Sequence, residues 1–124
     1  YTLAAKQGIP FAQESLANMY ANGEGVPQDY KTAVKWTTLA AEQGHALGQV
    51  RLALLYIAGK GIPQDYVYAH MWANLSASNG NEIGGELRDT IAKKMTPFQI
   101  AEAEKLAREC VGKNYKGCGI KVSK

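Results

Sequence analysis

Gly23-Glu24-Gly25-Val26-Pro27-Gln28-Asp29-Tyr30 returns as Gly59-Lys60-Gly61-Ile62-Pro63-Gln64-Asp65-Tyr66, 36 residues later. The match extends outward in both directions. Upstream it takes in Gln13/Gln49, Leu16/Leu52, Ala17/Ala53 and Tyr20/Tyr56. Downstream it takes in Ala33/Ala69, Trp36/Trp72, Leu39/Leu75, Ala41/Ala77 and Gly44/Gly80. A fixed period of about 20–50 residues marks a stacked-repeat architecture, in which each unit buries its apolar face only against its neighbours.

Each repeat reads as two antiparallel helices. The first runs from Pro10 to Asn22: proline suits the opening turn, where its missing amide proton would have no helical acceptor. Ala12, Leu16, Met19 and Tyr20 recur at three- and four-residue spacing and form one apolar stripe. Gly23 and Gly25 end that helix, and Val26-Pro27 forms an extended link, because proline disfavours a helical residue before it. Asp29 caps the second helix, where a carboxylate meets free amide protons and the positive dipole end. There Tyr30, Ala33, Trp36 or Thr37, Ala40 and Ala41 form the stripe, and Gly44 stops it.

After Gly80 the pattern degenerates. Leu87 and Ile91 resume the stripe one residue early, and the loop shrinks to Met95-Thr96-Pro97. Thr96 as N-cap, Pro97 at N1 and Gln99 at N3 predict a last helix carrying Ile100, Ala103, Leu106, Ala107 and Cys110. An atypical final unit is expected of a terminal cap, which shows water a polar outer face. At the other end, Tyr1–Gly8 matches the end of a repeat, with Ala4, Ala5, Gln7 and Gly8 in phase with Ala40, Ala41, Gln43 and Gly44. The expected organisation is therefore a repeat array over 1–111, followed by a basic tail over 112–124. The array divides into a cut repeat over 1–8, repeats over 9–44 and 45–80, and a capping helix pair over 81–111.

Composition supports a folded domain: 46% of residues are apolar and 20% charged. No run approaches the ~20 apolar residues of a membrane-spanning helix. The net charge of +3 comes from Lys113, Lys116, Lys121 and Lys124 in the tail, which leaves 10 basic against 11 acidic groups elsewhere. A nucleic-acid binder carries its basic groups along one face of the folded body, so no nucleic-acid partner is expected.

The run from Ala12 through Gly23-x-Gly25-Val26-Pro27-Gln28-Asp29-Tyr30 to Ala40-Ala41-x-Gln43-Gly44 resembles a Sel-one-like repeat, a longer relative of the tetratricopeptide repeat. The second copy resembles it equally well, and Leu87…Met95-Thr96-Pro97…Ala101-Glu102-Ala103 is similar to the helical hairpin that closes such bacterial arrays. The resemblance implies an all-α, right-handed α/α superhelix of about three antiparallel helix pairs. It also implies a non-enzymatic adaptor that binds a partner protein, with the first helix of each unit lining a concave face. Concave positions carried over from tetratricopeptide geometry are Phe11, Glu14 and Asn18 in one repeat and Leu47, Val50, Leu54 and Ile57 in the next. Val50, Leu54 and Ile57 fall where the first repeat has Glu14, Asn18 and Ala21, so function is expected where the period fails. The first helix of the second repeat is apolar nearly all round, interrupted mainly by Gln49 and Arg51. Either helix curvature or upstream repeats cover it, or Phe11, Leu47, Val50, Leu54 and Ile57 form an apolar groove for a peptide or helix of the partner.

Cys110 and Cys118 resemble the Cys-x7-Cys pair of cysteine-rich secreted members of the family. That resemblance implies a disulfide closing the tail onto the cap, and a periplasmic or secreted protein. Two free thiols in the cytoplasm are the alternative. Some cysteine-rich relatives are linked to β-lactams, but Ser15, Ser76 and Ser78 are each followed three residues on by asparagine, so no Ser-x-x-Lys nucleophile exists. His45 and His70, the two histidines, are expected at the surface or in peripheral packing; neither a metal nor a cofactor is implied. The aromatic pairs Tyr20/Tyr56 and Trp36/Trp72 are expected to pack between helices. A structural, oligomerisation or peptidoglycan-related envelope role is the alternative function, with a monomer or weak self-association through the cut end of the array.

Overall fold

The computed structural model describes residues 8–118, so the cut repeat over 1–8 (apart from Gly8) and the tail beyond Cys118 lie outside the described residues. Among those described the chain is all-helical, with six helices: α1 Pro10–Asn22, α2 Tyr30–Ala41, α3 Ala46–Ala58, α4 Tyr66–Ser78, α5 Glu82–Ala92 and α6 Pro97–Gly112. Helices α1 and α2 form one pair, α3 and α4 the next, and α2 packs on α3 to join them. At the end, α5 and α6 both lean on α4 far more than on each other.

Local chemistry sets the boundaries. The Asp29 carboxylate accepts from the backbone N–H groups of Lys31 and Thr32 and from the Thr32 hydroxyl, at 3.1, 3.3 and 2.6 Å. The Thr32 hydroxyl above all holds this carboxyl below its ordinary pKa. Asp65 accepts from Tyr68 N–H at 3.1 Å and starts α4, and Asn81 starts α5 through Ile83 and Gly84. Thr96 and Gln99 form a reciprocal capping box at α6. α1 and α3 end on Gly23 and Gly59, both left-handed.

The repeated glutamines are hydrogen-bonding parts. Gln28 donates to the Ala21 carbonyl at 2.8 Å and Gln64 to the Ile57 carbonyl at 2.9 Å, tying each loop to the frayed end of the helix before it. Gln49, fully buried, donates to the Ala41 carbonyl at 3.1 Å and accepts from Asn79 at 3.0 Å, so one amide links the ends of α2 and α4 through α3. Successive loops also touch: Lys60 Nζ lies 5.2 Å from the Tyr30 ring centroid, and Gly61 presses against the Tyr30 backbone.

The main core lies in the second repeat and the cap, around Leu52, Tyr56, Met71, Trp72 and Ile91. Burial pushes the Tyr56 phenol above its ordinary pKa range, and its ring stacks on Tyr68 at 5.6 Å. A smaller cluster joins Ala12 and Leu16 to the half-buried Met19, Tyr20 and Trp36. The paired aromatics thus differ in depth: Trp72 is sealed between neighbours on both sides, whereas Trp36 has a described neighbour on one side only.

Cys110 and Cys118 are joined as a disulfide, with Cα atoms 5.6 Å apart. The turn between them folds back over the array. The Tyr115 ring sits over Gly44, its hydroxyl donates to Asn79 at 3.4 Å, and Gly117 N–H donates to Glu42 at 2.9 Å. The tail is therefore tied down as far as Cys118.

Candidate functional site

A cleft of about 220 Å³ opens between α1, α2 and α3. Its floor is made of small residues, Ala17 and Ala21 from α1 and Ala33 from α2. Its walls are Asn18 of α1 and Arg51, Leu54 and Leu55 of α3. The alanines leave the space, and the helix pitch puts Asn18, Ala21 and Asn22 on one side of α1, three and four residues apart. Leu54 is 47% exposed, a large apolar side chain held at the rim.

One end of the cleft is closed by a polar network. Glu14 lies on α1 with its side chain nearly buried, and its two carboxylate oxygens take different partners: Arg51 Nε on one and His45 Nε2, at 3.0 Å, on the other. Arg51 Nη1 then donates to the Asn18 side chain at 3.0 Å. The guanidinium is thereby fixed across the cleft by two residues of the preceding repeat, in the planar fork geometry that suits arginine to such bridging.

The expected concave positions divide into three groups. Asn18 and Leu54 line the cleft together. Phe11, 63% exposed, and the half-buried Leu47 and Ile57 lie outside its lining. Glu14 and Val50, 4% and 3% exposed, are turned inward, so the continuous apolar groove expected from the sequence is interrupted. Val50 is covered because α3 is enclosed by α2, α4 and the edge of α5, and Glu14 because it is paired with His45 and Arg51. Most of α3 is apolar because it is surrounded, and its open side is the one that carries Arg51 and Leu54.

Of the two histidines, His45 is peripheral as expected and His70 is not. His45 is part of the Glu14 network, and His70 is buried at 2% exposure beneath the cap. Desolvation lowers the pKa of His70; the nearby Glu104 and Asp89 carboxylates oppose this to a smaller extent, and Arg88 adds to it. The residue that sequence reasoning missed is Arg51, read as an interruption of an apolar helix. The available signal was the pair Glu14 and Arg51, one of each charge on the first helices of adjacent units. No helix among the described residues is long and apolar enough to cross a membrane.

The Sel1 repeat profile matches residues 10–45 and 46–81. The chain belongs to the Sel1 repeat family. Sel1 repeat proteins are generally protein-interaction scaffolds. Two solved structures share the fold. The crystal structure of c5321, a protective antigen present in uropathogenic Escherichia coli strains, displays an SLR fold; it is 33% identical, with a TM-score of 0.86 over 98% of this chain and 27% of that one. A Sel1 repeat protein from Oxalobacter formigenes is 39% identical, with a TM-score of 0.68 over 71% of this chain and 26% of that one. The chain thus spans about a quarter of the length of these Sel1 repeat structures. No curated protein matches the chain.

Proposed function

We propose that this Sel1 repeat chain is a non-enzymatic adaptor that holds a peptide or helical segment of a partner protein in the cleft between α1 and α3. The observation that carries the reading is the pairing of an exposed Leu54 with a fixed Arg51 and Asn18 around a floor of alanines. Such a cleft offers one apolar contact for an anchoring side chain and polar groups for the backbone around it. Because Glu14 holds the guanidinium in place beforehand, little ordering entropy is lost on binding. The disulfide at the cap supports an oxidising compartment, and with it a periplasmic or secreted protein.

The test is a pull-down from the source cell with wild type and Leu54→Glu in parallel, alongside circular dichroism. The expected result is loss of the captured partner with helicity and melting temperature unchanged, since Leu54 stands at the rim. An unchanged captured set rejects the cleft as the binding site. A large fall in melting temperature makes Leu54 part of the core instead.

A further inference from the structure

Leu39 on α2 and Leu75 on α4 are the same residue at the same register of the repeat, yet Leu39 is 36% exposed and Leu75 is 2% exposed. The difference is α6. It packs on α4 and brings Ala107 and Val111 to the cavity that Leu75 lines, and Met71 beside it is 1% exposed. On α2 the corresponding face is Lys31, Val34, Lys35, Thr38, Leu39 and Glu42, which border an open cavity of about 300 Å³. The Thr38 hydroxyl oxygen is buried there without a hydrogen-bond partner among the described residues.

We propose that this outer face of α2 is a second docking site, for an amphipathic partner helix that is acidic along one edge and lies across α2 as α6 lies across α4. The internal repeat supplies the precedent, because α4 shows that this face of the unit takes a helix. Charge selects the occupant. Where α4 presents the uncharged Val67 and Met71, α2 presents Lys31 and Lys35, one helical turn apart and both exposed. Neither ammonium forms an ion pair among the described residues, whereas Glu42 at the far end already accepts from Gly117 N–H. Among the described residues only Lys31 of the two has a carboxylate acting on it, the exposed Asp29. Two such cations beside a leucine and a valine match a helix that sets carboxylates next to its apolar stripe. The site shares no lining residue with the α1–α3 cleft, so it goes beyond the function proposed above.

The probe is a labelled synthetic helix with apolar residues at the spacing of Ile100, Ala103, Leu106 and Ala107 and glutamates along one edge. A control peptide carries lysines at those edge positions. Fluorescence anisotropy with the full chain is expected to show the glutamate peptide binding about tenfold or more tightly than the lysine peptide. Leu39→Glu and the double variant Lys31→Glu/Lys35→Glu each weaken it by a similar factor, the double variant reversing the preference, while Leu54→Glu leaves it unchanged. All four substituted positions are exposed, and melting curves check that the variants fold; if Leu39→Glu does not, the lysine pair decides. Equal affinity for the two peptides, binding of neither, or full binding by the folded variants overturns the proposal. So does sedimentation showing wild type dimerising and Leu39→Glu monomeric, which would give the face to a second copy.

Discussion

Arg51 of α3 donates to the Glu14 carboxylate of α1, and the acceptor is much the more buried: their side chains are 40% and 6% exposed. The two residues belong to different repeats, so this contact and the His45 contact beside it staple the first pair of helices to the second. The asymmetry in burial predicts an asymmetry in mutation. Arg51→Ala strips a desolvated carboxylate of one partner and is expected to cost about 2–3 kcal/mol, while Glu14→Gln, which keeps the volume and one acceptor, costs about 1 kcal/mol. Urea denaturation of the two variants checks the order; equal losses would mean that packing and not charge is being measured.

Gly25 and Gly61 occupy the same place in the repeat and share a left-handed φ, +74° and +77°. A side chain at Gly25 meets open space, whereas a Cβ at Gly61 would lie 2.5 Å from the Tyr30 carbonyl oxygen. Gly25→Ala is therefore expected to cost only the conformational penalty, about 1–2 kcal/mol. Gly61→Ala adds a clash with backbone and must move the loop away from α2. Thermal melts of the pair test this, and comparable midpoints would show that the loops stack less tightly than the structure has them.

His70 gives the fold a pH dependence of definite sign. Its pKa is lowered in the folded state, chiefly by burial, from an ordinary 6.5. Between those two values the unfolded chain binds the proton and the folded chain does not, so stability is full above about 6.5 and falls as pH drops below it, down to the folded value. His70→Val, which installs the residue of the equivalent position Val34, should flatten the melting-temperature profile from pH 7 toward 5. An unchanged slope in that window would assign the dependence to other groups.

Reduction of Cys110–Cys118 releases a loop with a sequence separation of 8. For a loop this short the chain-entropy argument gives about 2–3 kcal/mol. A thiol reductant and the double substitution Cys110→Ser/Cys118→Ser should each lower the unfolding free energy by that amount, seen as a fall in melting temperature. Alkylation without reductant followed by mass measurement supplies the control: two modified cysteines would exclude the bridge.

What the sequence makes legible is what neighbouring residues decide among themselves. The start and end of α1, the Asp29 cap and the Thr96–Gln99 box were readable because each is written in a few consecutive residues. Glu14, Val50 and His70 were misplaced because their burial depends on which helices lie across them, and no local pattern records that. His70 did carry a hint, since its counterpart is Val34. The crossing of α6 over α4 had no local signature, because the repeat template pairs the last two helices with each other. The cleft was half legible: Asn18 and Leu54 from the failed period, Arg51 only through its charge opposite that of Glu14.

The hydrogen bond from Gly117 to Glu42 joins residues 75 apart in sequence, and with the Tyr115–Gly44 contact it ties the cap to the first repeat, past the unit between them. A solenoid without such a link can fray from either end, one unit at a time. Here the final turn, cinched by the disulfide, grips the end of α2 while Tyr115 rests on Gly44. Losing the last helix thus also loosens the repeat two units earlier. The consequence concerns cooperativity: the chain should unfold in one step when oxidised and in separable steps when reduced, like a row of books with its end clip removed.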